Sequence, residues 1–441
     1  MIKGFVGFFE KFGVNVAWMY VCIGFSILIY LFFALDIRSN LVYEFMVLSF
    51  PVWMPIVSFS LFFEYWLYFV RKKYDIAQGR VTLEIKLPQD VFKSPEAMEL
   101  VLIQMFQTAS PDNHVQTYWD GKHAPVYSLE LVSRGGDVRF YINTPRKKFK
   151  NIVETQLYAQ YPGVEVHELP LDYTAEVSWD SNKYEIFSIH FGLRKPDAYP
   201  IKTYIEYGLD KMPKEEEKID PISSMLEMLG NLGPDEFYWV QILINANKEL
   251  TFKDGSLSLR PDWKLQARAE IKNIIDTAVK ERGVEQPGGN VMMLLTDAQK
   301  DTIKAIERSL AKNAFDVAIR GMYIATKEKF DPGERVGALI TGWRSYDDLN
   351  RNIIAPLWRT DFDWNWWQDP TGSRRRSAKR QELSEYKRRV YINRVVKDTR
   401  KVMTTEELAT VFHIPGRVVS TPTLARIPSK RGEAPPNLPV G

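Results

Sequence analysis

The chain has 441 residues, 45% of them hydrophobic, with 58 basic and 55 acidic side chains and a formal net charge of +3. That length predicts about two to four domains with cores of their own. The single cysteine, Cys22, excludes an intrachain disulfide framework and a cysteine-built zinc site.

The N-terminal region is apolar. Residues 14–35 read VNVAWMYVCIGFSILIYLFFAL, 22 residues without a charge, and a helix needs about 20 to cross a bilayer. After the polar link DIRSN, residues 45–63 run FMVLSFPVWMPIVSFSLFF, 19 more without a charge. Trp18, Tyr20, Tyr65, Trp66 and Tyr68 sit near the ends, where interfacial aromatics belong. The pattern predicts a two-helix membrane anchor over 1–75, with Pro51 and Pro55 kinking the second helix. Arg71, Lys72 and Lys73 follow the second segment, and Lys3 and Lys11 precede the first. The positive-inside rule then predicts a multi-pass protein with both ends cytoplasmic.

After Gly79 the pattern changes. VTLEIKL (81–87) alternates as a strand does. Ser94 and Pro95 start a helix whose Met98, Val101, Leu102, Met105 and Phe106 share one face. VYSLELVS (126–133), the turn Gly135-Gly136 and VRFYINT (138–144) read as a hairpin. A second helix carries Phe149, Ile152, Val153, Leu157 and Tyr161, and VEVHEL (164–169) follows as a strand. The order β-α-β-β-α-β predicts a first ferredoxin-like domain over 76–175.

The order recurs over 176–360. EIFSIHFGL (185–193), FYWVQILINA (237–246) and FDVAIRGMYIAT (315–326) read as strands. Helices are expected after Asp220-Pro221, with Ile222, Met225, Leu226 and Leu229 on one face, and over 336–349. An insertion at about 250–313 contains two charge-laced helices, 261–282 and 296–312. Their packing stripe is Ile271, Ile274, Ile275 and Ala278 against Ile303, Ile306 and Leu310. The expected fold class is α+β: a transmembrane helical hairpin followed by two tandem ferredoxin-like (βαββαβ) units, the second with a helical-hairpin insertion.

Residues 361–441 hold a basic segment and a proline-rich tail. Three tryptophans in DFDWNWWQDPTGSRRR adjoin a run, 374–401, with twelve lysines and arginines against three acids. Arg374, Arg375, Arg376, Lys379, Arg380, Lys387, Arg388 and Arg389 are its candidate contact residues. Three partners fit such a run: DNA phosphates, anionic lipid headgroups or an acidic protein. Thr404 and Glu407 have the spacing of a capping box opening a short helix, ELATVFH.

No motif carries chemistry. GALITGWR (337–344) has Trp343 and Arg344 where a phosphate loop needs lysine and a hydroxyl. G-x-S-x-G and H-E-x-x-H are absent, and the five histidines, His114, His123, His167, His190 and His413, are scattered. The sequence therefore predicts no catalytic, cofactor-binding or metal-ligating residue, and no enzyme.

The segments PVYSLELVSRGGDVRFYINTP, QLYAQYPGVEV, LRKPDAYPIKTY, KIDPISSMLEML, FYWVQILI and EELATVFHIPGRVVSTPTLARI, with the closing PPNLP, form a recognisable series. Its most specific pieces are AQYPGVEV, KPDAYPIKTY, KIDP and ELATVFHIPG. The series resembles the N-terminal membrane-anchored region of bacterial type IV secretion and conjugation ATPases of the HerA and TraG-like kind. In them an anchor and an uncharacterised α+β region precede a RecA-like motor. Here the chain stops at Gly441, where those relatives run on into the motor. The resemblance implies a bacterial inner (plasma) membrane location and a scaffold or assembly subunit that docks a separate cytoplasmic ATPase. The implied partners are membrane lipid, that RecA-like ATPase in trans, DNA and further copies of the chain. The alternative expectation is a membrane-tethered nucleic-acid-binding protein that uses 374–401.

Overall fold

Two long apolar runs, FYWVQILINA and FDVAIRGMYIAT, lie at the centre of one ten-stranded sheet. The structure is a computed structural model that describes residues 39–88, 93–180, 182–211, 219–255, 262–281, 295–360, 367, 369–390, 401–416 and 426–427. In chain order its strands are β1 (Arg80–Pro88), β2 (Val126–Arg134), β3 (Asp137–Pro145), β4 (Glu165–Glu168) and β5 (Tyr184–Leu193). Then come β6 (Glu236–Ala246), β7 (Ala314–Thr326), β8 (Ile354–Arg359), β9 (Lys401–Thr404) and β10 (Arg426–Ile427). The sheet order is β10-β1-β3-β2-β6-β7-β5-β8, with β4 also on β1 and β9 also on β7. Nine strands are antiparallel, and β10 runs parallel to β1.

The helices are α1 (Ser39–Gln78), α2 (Glu96–Met105), α3 (His114–Tyr118), α4 (Phe149–Gln160) and α5 (Ile222–Gly230). They continue with α6 (Trp263–Glu281), α7 (Asp297–Leu310), α8 (Pro332–Thr341), α9 (Ser373–Arg388) and α10 (Thr405–Val411). Side chains of α2, α4, α5, α8 and α10 share one core with the sheet, including Met98, Leu157, Leu226, Leu339 and Leu408. The opposite face meets α9 through Leu383 and Tyr386, which pack with Trp239, Met322 and Ile324. Cover on both faces explains why β6 and β7 are buried along nearly their whole length and mostly apolar, with Gln241 and Arg320 as buried polar exceptions.

The expected pair of ferredoxin-like units is not what forms. Strand β2 pairs with β6 from Val126↔Asn245 to Arg134↔Phe237, which fuses the two halves into a continuous sheet. One hydrophobic core runs through both, from Leu83 to Ile354. The two charge-laced helices are present as α6 and α7. Ala278 packs with Ile303, and Ile271 and Ile274 pack beside them. Thr296 caps α7 in a capping box with Gln299.

The expected membrane anchor is overturned. Among the described residues no helix is long and apolar enough to cross a membrane. The second apolar segment lies in α1, a single helix of 40 residues that continues well past it. Pro51, Pro55 and three serines interrupt its apolar run, and its C-terminal third is docked on the body. Phe63, Leu67 and Val70 are buried there beside Tyr118. Trp66 donates a hydrogen bond of 2.6 Å to the Tyr118 carbonyl. Gly121, at φ +68°, makes this approach possible, because a Cβ there would sit 2.3 Å from the Val70 carbonyl oxygen. Two of the charges read as topology signals have local partners. Arg71 donates to the Asp254 carbonyl at 2.8 Å, Lys72 lies 3.5 Å from Asp75, and Lys73 is exposed. The multi-pass inner-membrane location inferred from them falls with the anchor. Residues 14–35, with Cys22, lie outside the described residues.

Candidate functional site

Three features stand out on this frame: a seat for α10, a polar layer under α9, and an exposed seam on α1.

The seat begins with the capping box. Thr404 and Glu407 form it in full, and the Glu407 carboxylate also accepts from the Ile201 amide at 3.1 Å. Glu406 accepts from the Thr203 hydroxyl at 2.6 Å and lies 3.0 Å from Arg308. On α2, Glu99 accepts from the Tyr204 hydroxyl (2.6 Å), Lys312 (2.6 Å) and the Thr405 hydroxyl (3.0 Å). The Tyr204 amide donates to the Thr410 hydroxyl at 2.9 Å. His413 lies 3.0 Å from Asp220, and the Val402 amide donates to Asp197 at 3.1 Å. Tyr161 and Val164 share the core with Phe412 and Ile414. AQYPGVEV, KPDAYPIKTY, KIDP and ELATVFHIPG, far apart in the chain, therefore meet around one short helix.

Burial sets the protonation of Glu407, and pairing sets that of His413 and Asp220. Burial pushes the Glu407 carboxyl up to about 7, against the opposing pull of the Thr404 and Ile201 hydrogen bonds. Burial alone would lower the His413 pKa and raise that of Asp220. Their mutual attraction outweighs it in both cases, holding the imidazolium up and the carboxylate down.

The layer under α9 is equally polar. Glu130 on β2 accepts from Arg389 at 3.0 and 3.2 Å, from Tyr173 at 2.8 Å and from Gln241 at 3.2 Å. Glu382 lies 2.7 Å from His190 and 3.6 Å from Arg320. Burial lowers the His190 pKa more than Glu382 restores it. Lys379 pairs with Glu185 at 2.6 Å, and Lys387 donates to the Val177 carbonyl. The eight candidate basic residues thus divide. Lys379 and Arg389 are buried ion-pair members, Lys387 is half-buried, and Arg374, Arg375, Arg376, Arg380 and Arg388 are exposed. Residues 391–400, the rest of the basic run, lie outside the described residues.

On α1, Leu48, Val52, Pro55, Phe59, Phe62, Trp66 and Phe69 recur at alternating steps of four and three residues. Leu48 is 81% exposed, Phe59 57%, Phe62 61% and Phe69 57%. Phe62 and Trp66 stack at 5.8 Å, and Trp66 contacts Phe69 at 5.9 Å, so the seam is a continuous aromatic ridge at its C-terminal end. A repeat of 3.5 residues is the spacing by which helices pair through knobs and holes. The docked face, Phe63-Leu67-Val70, is offset from it by one residue.

The other sequence features are structural. Trp343, in GALITGWR at the C-terminal end of α8, is a buried core residue tilted against Phe191 at 5.0 Å. His114 stacks with Tyr118, and His123 lies 3.2 Å from Asp75. Among the described residues no group of three or more His, Cys, Asp or Glu side chains is placed to hold a metal. Sequence reasoning missed Glu99, Glu130, Arg320 and Glu382. For Glu130 and Arg320 the available signal was a single charge inside an apolar strand, as in SLELV and AIRGM; Glu99 and Glu382, on helices, carried no such mark.

A family model described as a domain of unknown function (DUF8128) matches residues 101–426, a span that contains β2 to β9 and both α9 and α10. No curated protein matches the chain.

Proposed function

The chain belongs to the DUF8128 family, and from its geometry we propose that it is a non-enzymatic assembly subunit that docks a translocating ATPase of the HerA and TraG-like kind. The observation that carries this reading is the exposed heptad seam on α1. A helix of 40 residues is about 60 Å long. The seam from Leu48 to Phe69 covers about 32 Å of that length, far beyond the scattered apolar residues of an ordinary surface. The spacing selects an apolar helix as the partner element. The identity of the partner is supported by the resemblance, and the four segments that carry it meet in the α10 seat. The buried acids favour a structural use. Glu99, Glu130, Glu382, Glu406 and Glu407 are each at most 3% exposed and tied to other elements, whereas an acid-base catalyst must reach its substrate.

The test is co-elution of the full chain with a HerA/TraG-type ATPase from the same organism, together with ATP turnover by each protein alone. A stoichiometric complex, with turnover only in the ATPase, is expected. ATP turnover by the purified chain, or separate elution at micromolar concentration, overturns the proposal.

A further inference from the structure

A second surface, independent of α1, concerns α9. Every exposed side chain of α9 is arginine, serine or glutamine. Its two acids are turned inward: Glu382 faces His190 and Arg320, and Glu385 accepts from Gln381 at 2.8 Å while remaining buried. The exposed face of the helix therefore carries positive charge and no acid, while the inner face mixes Lys379 with Glu382 and Glu385. A solvated surface helix mixes signs along its exposed rows, with acid-base pairs at i,i+4. Here the row Arg376, Arg380, Ser384, Arg388 follows that spacing with no acid in it. Arg376 and Arg380 are like charges one turn apart, an arrangement that costs stability until an anion bridges it.

We propose that this row of α9 binds the phosphate backbone of duplex nucleic acid without regard to base sequence. The guanidinium fork suits phosphate, and serine and glutamine are also common phosphate donors. The row spans about 18 Å, from 1.5 Å of rise per residue, which faces several phosphates of one strand. An acidic protein fits less well. Protein interfaces are built around an apolar or aromatic core, and no exposed side chain of α9 is apolar. Single-stranded nucleic acid needs aromatic platforms for its bases, and the row offers none. The scaffold is rigid where it must be, because Lys379, Glu382, Tyr386 and Arg389 pin the inner face to the sheet.

The experiment measures binding of the full chain to a mixed-sequence duplex of roughly 20 base pairs between about 50 and 200 mM salt. Three arginines on phosphates contribute about 2.7 to the slope of log affinity against log salt. R376S/R380S/R388S is expected to lose that much slope and at least tenfold affinity at low salt. R376K/R380K/R388K keeps the slope. The single variant R380S, a change at one exposed position, is expected to lose about 0.9. No binding at about 50 mM salt, an unchanged slope in both serine variants, or a strong preference for one sequence overturns the proposal. So does binding to polyglutamate or to phosphatidylserine vesicles in the absence of duplex binding.

Discussion

Nε2 of His413 lies 3.0 Å from a carboxylate oxygen of Asp220, while Nδ1 of the same ring faces the Ala409 carbonyl oxygen at 2.9 Å. Both nitrogens meet acceptors, so the ring makes both hydrogen bonds only as an imidazolium. The pair joins the end of α10 to the start of α5, 193 residues apart in the chain.

This geometry sets a pH dependence. The His413 pKa is raised in the folded state, so its contribution is fully present below about 6.5 and is lost as pH rises through the folded value. Asp220 is depressed, so its contribution is present above the ordinary carboxylate range and is lost as pH falls through the folded value. His413→Leu leaves the buried Asp220 unpaired and should cost about 3–5 kcal/mol near neutral pH. Urea midpoints of both proteins measured against pH should differ more at pH near 6 than at pH near 9.

Glu407 titrates in the same seat with its pKa pushed up to about 7. A raised carboxyl favours the fold below the unfolded value and loses that advantage as pH rises through about 7. Glu407→Gln removes the titration and turns one of the two oxygens that accept from the Thr404 and Ile201 amides into a donor, a loss of about 1 kcal/mol. The midpoint difference between wild type and Glu407→Gln should therefore narrow on going from mildly acidic to mildly alkaline buffer. A constant difference would show that Glu407 keeps one protonation state.

Under α9, Arg389 and Glu130 are 259 residues apart and both buried. Arg389→Met should cost about 3–5 kcal/mol, because it removes the cationic partner of a carboxyl group buried inside the sheet face. The double variant E130Q/R389M should cost clearly less than the sum of its parts, which thermal melts of the four proteins can measure.

Gly121 is a further test of the α1 contact. Gly121→Ala combines a left-handed backbone with a clash against the Val70 carbonyl. It should loosen the docked end of α1, at about 1–3 kcal/mol, and expose the 71–80 region to trypsin earlier than in wild type. Equal cleavage rates would mean that α1 is held by other contacts.

The sequence was readable where the signal is local. Thr404 and Glu407 cap α10 as their spacing requires, and Ile303 packs on α6 as its stripe requires. It was not readable where partners are distant. Period-two alternation in SLELVS sets a face but names no neighbour, so the β2–β6 pairing that fuses the sheet left no trace in either strand. The run 45–63 has the composition of a membrane span, yet Phe63, Leu67 and Val70 at helical spacing were the mark of a docked face. The basic run likewise hid its division, since nothing in RRRSAKRQELSEYKRR says that Lys379 and Arg389 turn inward while Arg376, Arg380 and Arg388 do not.

The central claim is that the exposed seam of α1 holds the ATPase. Its most direct test is a titration of the full chain into that ATPase, with wild type compared to F59S/F62S/F69S, whose changed side chains are all exposed. The account predicts affinity at least tenfold weaker for the variant, with an unchanged melting temperature. Equal affinity in the two proteins would contradict it.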